Sequence, residues 1–278
     1  TTMIALLQRG LRAGFMRAEA VFNAAFGDKL NPLYHLGAIS FFLFWVVGAT
    51  GLVLYAFFDT SVDGAHRSVE AITNGAWGAG SVLRTVHRHA SDAMVLTMLI
   101  HLLRYFAFDR LRGFRWFSWV TGVALIWLAY VAGVNGYMLP WDRLAQFVTQ
   151  ASFEWLDWLP GFGGTLIRNF IQPGHVSNRL FSLLVFIHIG VPLVMLLVMW
   201  IHVQRVPKAS TQPPRPITLA LVLMLLVLAL ATPVSSQGPA DLNTAPAVLM
   251  LDWFLLALFP LLYAWPLGVV WGVVGGAT

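Results

Sequence analysis

Residues 84–104 read RTVHRHASDAMVLTMLIHLLR, and this stretch decides how the rest of the chain is read. It is an apolar run closed at each end by an arginine, Arg84 and Arg104, with His87 and His101 set 14 residues apart inside it. At 3.6 residues per turn that interval falls about 40° short of four turns. In a helix the two imidazoles therefore share one face, roughly 21 Å apart along the axis. His89 is 12 residues from His101, which puts it about 120° round the helix and off that face. A second apolar run repeats the interval between His188 and His202. A lone helical histidine is most often a satisfied core residue or an exposed one, but two pairs with one period on two separate runs ask for a common cause.

Working outward, the chain has 278 residues, of which 58% are hydrophobic and only 10% charged. Its mean hydropathy is +0.74. A soluble single-core protein and a disordered chain are both excluded by that composition. The 12 Trp and 20 Phe suit the aromatic belts of a membrane protein. Six apolar runs are long enough to cross a bilayer, which demands ~20 helical residues. They are A (34–58), B (86–107), C (117–139), D (180–203), E (217–234) and F (249–272). Backbone polar groups must be satisfied internally in lipid, so the expected fold is an all-α integral membrane protein. It has six transmembrane helices: a four-helix bundle from A–D plus two further helices, E and F. Residues 1–30, 31–209 and 210–278 form its N-terminal segment, bundle and C-terminal region. There is no Cys, so disulfides, Cys-ligated zinc, iron–sulfur clusters and covalently attached c-type haem fall away. The net charge of +5 is not a nucleic-acid signal in such a chain, because what matters is where the charges fall.

In residues 1–30, Leu6, Leu7, Leu11, Phe15, Val21, Phe22 and Phe26 alternate with Arg9, Arg12 and Arg17. This predicts an amphipathic helix lying on a membrane surface, with an ordinary packed helix as the alternative. No cleavable signal pattern is present. With six crossings, the N-terminal segment, the B–C loop and the D–E loop share one side. That side carries Arg9, Arg12, Arg17, Lys29, Arg104, Arg110, Arg112, Arg115, Arg205, Lys208 and Arg215 against only Glu19, Asp28 and Asp109. On the other side acids outnumber bases. The positive-inside rule places both termini in the cytoplasm, here of a bacterial inner membrane. The long C–D loop, 141–178, has apolar helical spacing broken at Pro160, Gly161, Gly163 and Gly164. That pattern predicts two short surface helices.

An intramembrane histidine is costly and marks function by default, and neutral imidazole ligates haem iron. B and D run in the same direction. His87 therefore lies level with His188, and His101 with His202, each pair placed to sandwich a haem. Glycines repeat the period: Gly37 and Gly51 on A, Gly122 and Gly136 on C. A missing side chain lets a flat ring approach the backbone, although close helix packing also selects small residues. Arg84 and Arg104 stand where propionates would point, and guanidinium binds carboxylates bidentately; the plainer account is snorkelling at a helix end. A haem-free transporter with histidine proton relays leaves the glycine period unexplained.

With these residues in view, the chain resembles the cytochrome b family of cytochrome bc complexes. The resemblance rests on the paired His in B and D, the paired Gly in A and C, Arg84 and Arg104. Pro192 follows His188 by four residues, Gly136-Tyr137-Met138-Leu139-Pro140-Trp141 ends C, and Pro160 falls at the family's distance from it. The last third is similar to the stretch ending in the family's Pro-Glu-Trp-Tyr motif, here Leu251-Asp252-Trp253-Phe254. The resemblance implies that Asp252 is a quinol-site carboxylate; the alternative is an N-cap of helix F. Lys208 is then the residue to contact quinone on the cytoplasmic side, where the family's histidine is replaced by Pro207. Other departures are Asp142-Arg143 for Gly-Gln, Val148 for a pocket glycine, Arg179 nine rather than five residues before His188, and six helices where the family's full-length form has eight.

The resemblance implies an electron-transfer subunit with two non-covalent b haems, exchanging electrons with quinone. Its partner subunits would carry iron–sulfur and c-type centres, in an oligomeric complex, as a dimer, among membrane lipids. The alternative keeps the haems but makes the chain the membrane anchor of another dehydrogenase or multihaem complex, with one quinone site or an altered one.

Overall fold

The computed structural model describes residues 3–75, 78–172, 174–206 and 208–278. Most of these residues are helical. Their one β feature is an isolated bridge between Asp142 and Pro239. In order, the helices are α1 (Met3–Phe26), α2 (Leu36–Phe57), α3 (Ala65–Thr73), α4 (Ala79–Ala107), α5 (Trp116–Met138), α6 (Arg143–Asp157), α7 (Asn178–Gln204), α8 (Arg215–Ala231), α9 (Trp253–Leu256), α10 (Phe259–Ala264) and α11 (Leu267–Ala277). A π-helical turn, Ile167–Ile171, lies between α6 and α7.

Among the described residues, four helices are long and apolar enough to cross a membrane. They are Leu36–Phe57, Ala79–Ala107, Gly113–Met138 and Asn178–Gln204, matching runs A–D. α4, at 29 residues, carries the whole Arg84–Arg104 stretch. α5 stops at Met138, just ahead of Pro140, and Trp141 then turns the chain with φ 47. Such a left-handed conformation is uncommon for a bulky residue and marks a tight, fixed corner. Pro192 sits inside α7 and offers no N–H to the carbonyl four residues earlier, that of His188.

Runs E and F differ from the expectation of two long helices. E forms α8, of only 17 residues, closed by Thr232 and Pro233. F forms three short helices. Pro260 opens α10 and Pro266 precedes α11, with Trp265 extended at φ −127, ψ 154. A proline lacks the N–H a continuing helix needs and pushes the residue before it out of the helical region, so hydropathy alone misjudged the run's continuity.

By packing, the chain divides into two units. The first comprises Thr1–Leu54, Ser81–Tyr130 and Pro192–Val234. Its buried residues include Leu43 and Phe44 of α2, Ala90 and Met94 of α4, Met195 of α7, and Leu225 of α8. Ser40 and Thr97 join α2 to α4 by a 2.9 Å hydrogen bond. No residue of α1 is buried, and its apolar Ile4, Leu7, Met16 and Val21 are exposed. Polar contacts tie it down instead: Gln8 Nε2 donates to Phe106 O at 3.0 Å, and Asn31 Nδ2 to Glu19 O at 3.1 Å.

The second unit comprises Tyr55–Gly80, Val131–Val191 and Ser235–Thr278. α6 lies at its heart, with Leu144, Ala145, Gln146, Val148, Thr149, Ala151, Ser152 and Phe153 all buried. The first predicted C–D loop helix is therefore a core element of this unit, and the second is only the short π turn. Trp155 stacks on Trp271 of α11 at 4.1 Å between ring centres, and Trp271 donates its indole N–H to Trp155 O.

Candidate functional site

Each of the four paired histidines meets one of the four paired glycines. A Cβ added at Gly51 would stand 3.0 Å from His87 Cε1, and one at Gly37 would stand 3.3 Å from His101 Cε1. At Gly136 it would be 3.0 Å from His188 Cε1, and at Gly122 3.5 Å from His202 Cε1. The pairing is one to one, and the earlier glycine of each helix meets the later histidine. Antiparallel neighbours with a common 14-residue period produce that inversion. The ring lying over each glycine is thus the imidazole itself.

The glycines also open the backbone to these rings. His87 Nδ1 is 3.1 Å from Val47 O, and His188 Nδ1 is 3.1 Å from Ala132 O. His202 is hydrogen-bonded to Ser118 O. In all three cases the carbonyl belongs to the residue four before the glycine, whose side chain would otherwise cover it. A carbonyl only accepts, so Nδ1 carries the proton and Nε2 keeps its lone pair. That is the tautomer a metal-ligating histidine needs, with its other nitrogen anchored to the backbone. Glycine cradles and oriented imidazoles make a donor set suited to haem b. Among the described residues no three His, Cys, Asp or Glu side chains gather as a bare metal site.

Arg104 is placed by α1. Its Nε donates to Glu19 Oε1 at 2.8 Å, both side chains only 13% exposed. Its guanidinium lies over the rings of Tyr34 and Phe108, at 5.4 and 5.2 Å. Arg84 stands one turn before His87 in α4, half-buried. The remaining histidines go elsewhere. His89 Nε2 meets Thr232 Oγ1 and O, His66 Nδ1 meets Pro140 O, and His35 Nε2 meets Lys29 O. His175 lies outside helix in an exposed turn.

The residues expected to handle quinone are less concentrated. Asp252 stands at the N-cap position of α9, but its side chain makes no capping hydrogen bond. Phe254 is buried and stacks on Tyr137 at 6.0 Å, with its ring where a Cβ on Gly133 would be, 2.6 Å from Cζ. Val148 is fully buried. Lys208 is exposed and takes φ 54, while Pro207 lies outside the described residues. A cleft of about 810 Å³ opens between α6 and the π turn, lined by Glu154, Asp157 and Arg168 among others and by none of the histidines.

Asp142, a departure from the family pattern, has a structural task. Its Oδ1 accepts from Ala145 N at 2.8 Å, capping α6, and its Oδ2 accepts from Gln237 N at 2.8 Å. Gln146 accepts from Asp241 N at 2.9 Å and donates to Asp241 O and Thr244 O at 2.9 and 3.1 Å. Asn243 N–H and the Thr244 hydroxyl in turn hold the exposed Asp241 carboxyl below the usual carboxylate range. Sequence reasoning missed this clasp, and also Glu19, Thr50 and Thr121. Two signals were present: Glu19 is the one acid among the arginines of α1, and each threonine immediately precedes a paired glycine.

Comparison with known proteins identifies the family. The family model for cytochrome b/b6/petB matches residues 21–210, a span that holds all four histidines and all four glycines and ends before α8. Cytochrome b6 of Chlamydomonas reinhardtii is 30% identical over 201 residues, covering 71% of this chain and 92% of that one. In fold, the chain is similar to a hyperthermophilic respiratory complex III structure, with a TM-score of 0.69 at 17% identity, over 87% of this chain and 71% of that one.

Proposed function

Since the chain belongs to the cytochrome b family of bc-type complexes, multi-pass membrane proteins of quinol-linked electron transfer, we propose that it is a di-haem b subunit relaying electrons between quinone and partner redox centres. The observation that carries this is the fourfold imidazole–glycine match. His87 with His188, and His101 with His202, are the proposed axial ligands of two haems. Arg84 and Arg104 are the proposed propionate partners. Haem b, when bound, supplies a one-electron iron couple. The chain's own contribution is to fix the tautomers of His87, His188 and His202 through a backbone carbonyl and to keep each of the four rings against a bare glycine. It also holds a guanidinium at the membrane end of α4.

The proposed setting is a bacterial inner membrane, with both termini cytoplasmic, α1 lying on the cytoplasmic surface and α8–α11 as the quinol-side region. Asp252 is the proposed acceptor of a quinol proton, since a carboxylate at a membrane interface can serve as a base. Lys208 is the proposed quinone contact on the other face. Iron–sulfur and c-type centres belong to partner subunits in an oligomeric complex, proposed to be dimeric. A second reading, in which the chain is the membrane conduit of another dehydrogenase or multihaem complex, is favoured by one observation. Phe254, which stands for the resembled motif's Tyr, packs against Gly133 and Tyr137, and Val148, which stands for a pocket glycine, is wholly buried.

Purified protein should show a six-coordinate b-type spectrum with two haems per chain, and His101→Leu and His188→Leu should each lose one. A colourless preparation refutes the di-haem reading. Co-purification with a Rieske-type protein supports the first setting, and a molybdenum or multihaem partner supports the second.

A further inference from the structure

Two threonines stand in the same relation to the histidine pattern. Thr50 immediately precedes Gly51, and Thr121 immediately precedes Gly122. Thr50 Oγ1 lies 3.0 Å from His87 Nδ1, and Thr121 Oγ1 lies 2.9 Å from His202 Nδ1. The direction of both bonds follows from the surroundings. The Thr50 hydroxyl donates its single proton one turn back, to Val46 O at 2.7 Å with Val47 O at 3.1 Å. The Thr121 hydroxyl donates likewise, to Phe117 O at 3.0 Å with Ser118 O at 3.1 Å. With that proton committed, each hydroxyl oxygen offers the imidazole a lone pair. Each Nδ1–H is therefore shared between two acceptors, a hydroxyl and a carbonyl: Val47 O for His87 and Ser118 O for His202.

The other two histidines are built differently. Gly136, against His188, is preceded by Asn135, and Gly37, against His101, by Leu36. Neither offers a hydroxyl. In each proposed axial pair one ligand has a threonine and the other does not. The favoured ligand comes from α4 in the His87–His188 pair and from α7 in the His101–His202 pair. We propose that Thr50 and Thr121 are positioning residues that strengthen electron donation by His87 and His202, each lowering the midpoint potential of one haem and not of the other. The physics is that of an outer ligand shell. A second acceptor on Nδ1–H draws the proton away from the ring, makes Nε2 more basic, and favours the more highly charged ferric state. The inference rests on the di-haem reading and adds a residue-specific claim to it.

The test uses the full chain purified with its haems, following each haem's midpoint potential by spectroelectrochemical titration and its content by pyridine haemochrome. Thr50→Val keeps the side-chain shape and removes the acceptor. It should raise one midpoint potential and leave the other in place, with two haems still bound. Thr121→Val should raise the other, and Thr50→Ser and Thr121→Ser should restore wild-type values. If Thr50→Val does not assemble, Thr50→Ala removes the same acceptor and is read the same way. Haem-loaded valine or alanine variants whose two potentials do not move overturn this inference alone. A colourless wild-type chain overturns the di-haem reading and this inference with it.

Discussion

Helices α2, α4, α5 and α7 and the stretch after α8 are held in order by different physics. In the first, one interval repeated on four helices sets four imidazoles against four glycines. In the second, Pro260 lies in the first turn of α10 and Pro266 parts α10 from α11, and the connection leading to these helices is fastened to α6 by the side chains of Asp142 and Gln146. The difference teaches that the part carrying the proposed haem ligands depends on where side chains are absent, and the other part on where polar side chains are present. A substitution should therefore change haem content in the first and leave it intact in the second.

The largest effect is expected at the glycines, and it should be graded by distance. Valine at Gly51 or Gly136, where a Cβ would already stand 3.0 Å from a ring carbon, displaces the imidazole. Loss of one of the two proposed haems by pyridine haemochrome is expected. Alanine at Gly122, with 3.5 Å available, is an ordinary van der Waals contact and should leave both haems in place. Equal tolerance at all four glycines would break the assignment of the cradles.

Next in size is Phe254→Ala. Removing a buried aromatic side chain costs about 3–5 kcal/mol through lost transfer energy and the cavity left behind. The thermal midpoint should fall sharply, with haem content per folded chain unchanged. Loss of haem in this variant would show that the two regions are not as separate as the contrast requires. Glu19→Gln follows. It leaves Arg104, 13% exposed, without its carboxylate, a loss on the order of 3 kcal/mol for a buried pair. It should also release α1, read as faster proteolysis of residues 3–26.

These contrasts track how much of the molecule was legible beforehand. Helices α2, α4, α5 and α7, their facing residues and the Arg84–Arg104 stretch follow from local periodicity, because a helix converts sequence spacing directly into position. The Glu19–Arg104 pair, the Thr50–His87 and Thr121–His202 bonds and the Asp142–Gln237 bond join residues 37 to 95 apart. No period announces such contacts, and they exist only once elements have packed. The break-up of run F was written in Pro260 and Pro266, yet average hydropathy outweighs two residues in a window of twenty or so.

The smallest effect sharpens the comparison at its other end. Gln146 is buried and satisfies three backbone groups of the 241–244 turn, namely Asp241 N, Asp241 O and Thr244 O. Gln146→Leu keeps the volume but leaves those groups without their partner, at about 1–3 kcal/mol if they stay dry. Because the turn is largely exposed, water can replace part of what is lost, and the cost should fall at the low end of that range. The sign of the clasp should then appear in amide exchange rather than in global stability. Protection at Asp241 should drop, while the haem spectrum and both midpoint potentials hold. Unchanged protection at Asp241 would mean that the turn is held by its own hydrogen bonds, from Asn243 N and the Thr244 hydroxyl to the Asp241 carboxyl. The second region would then owe its order to local turn chemistry rather than to α6.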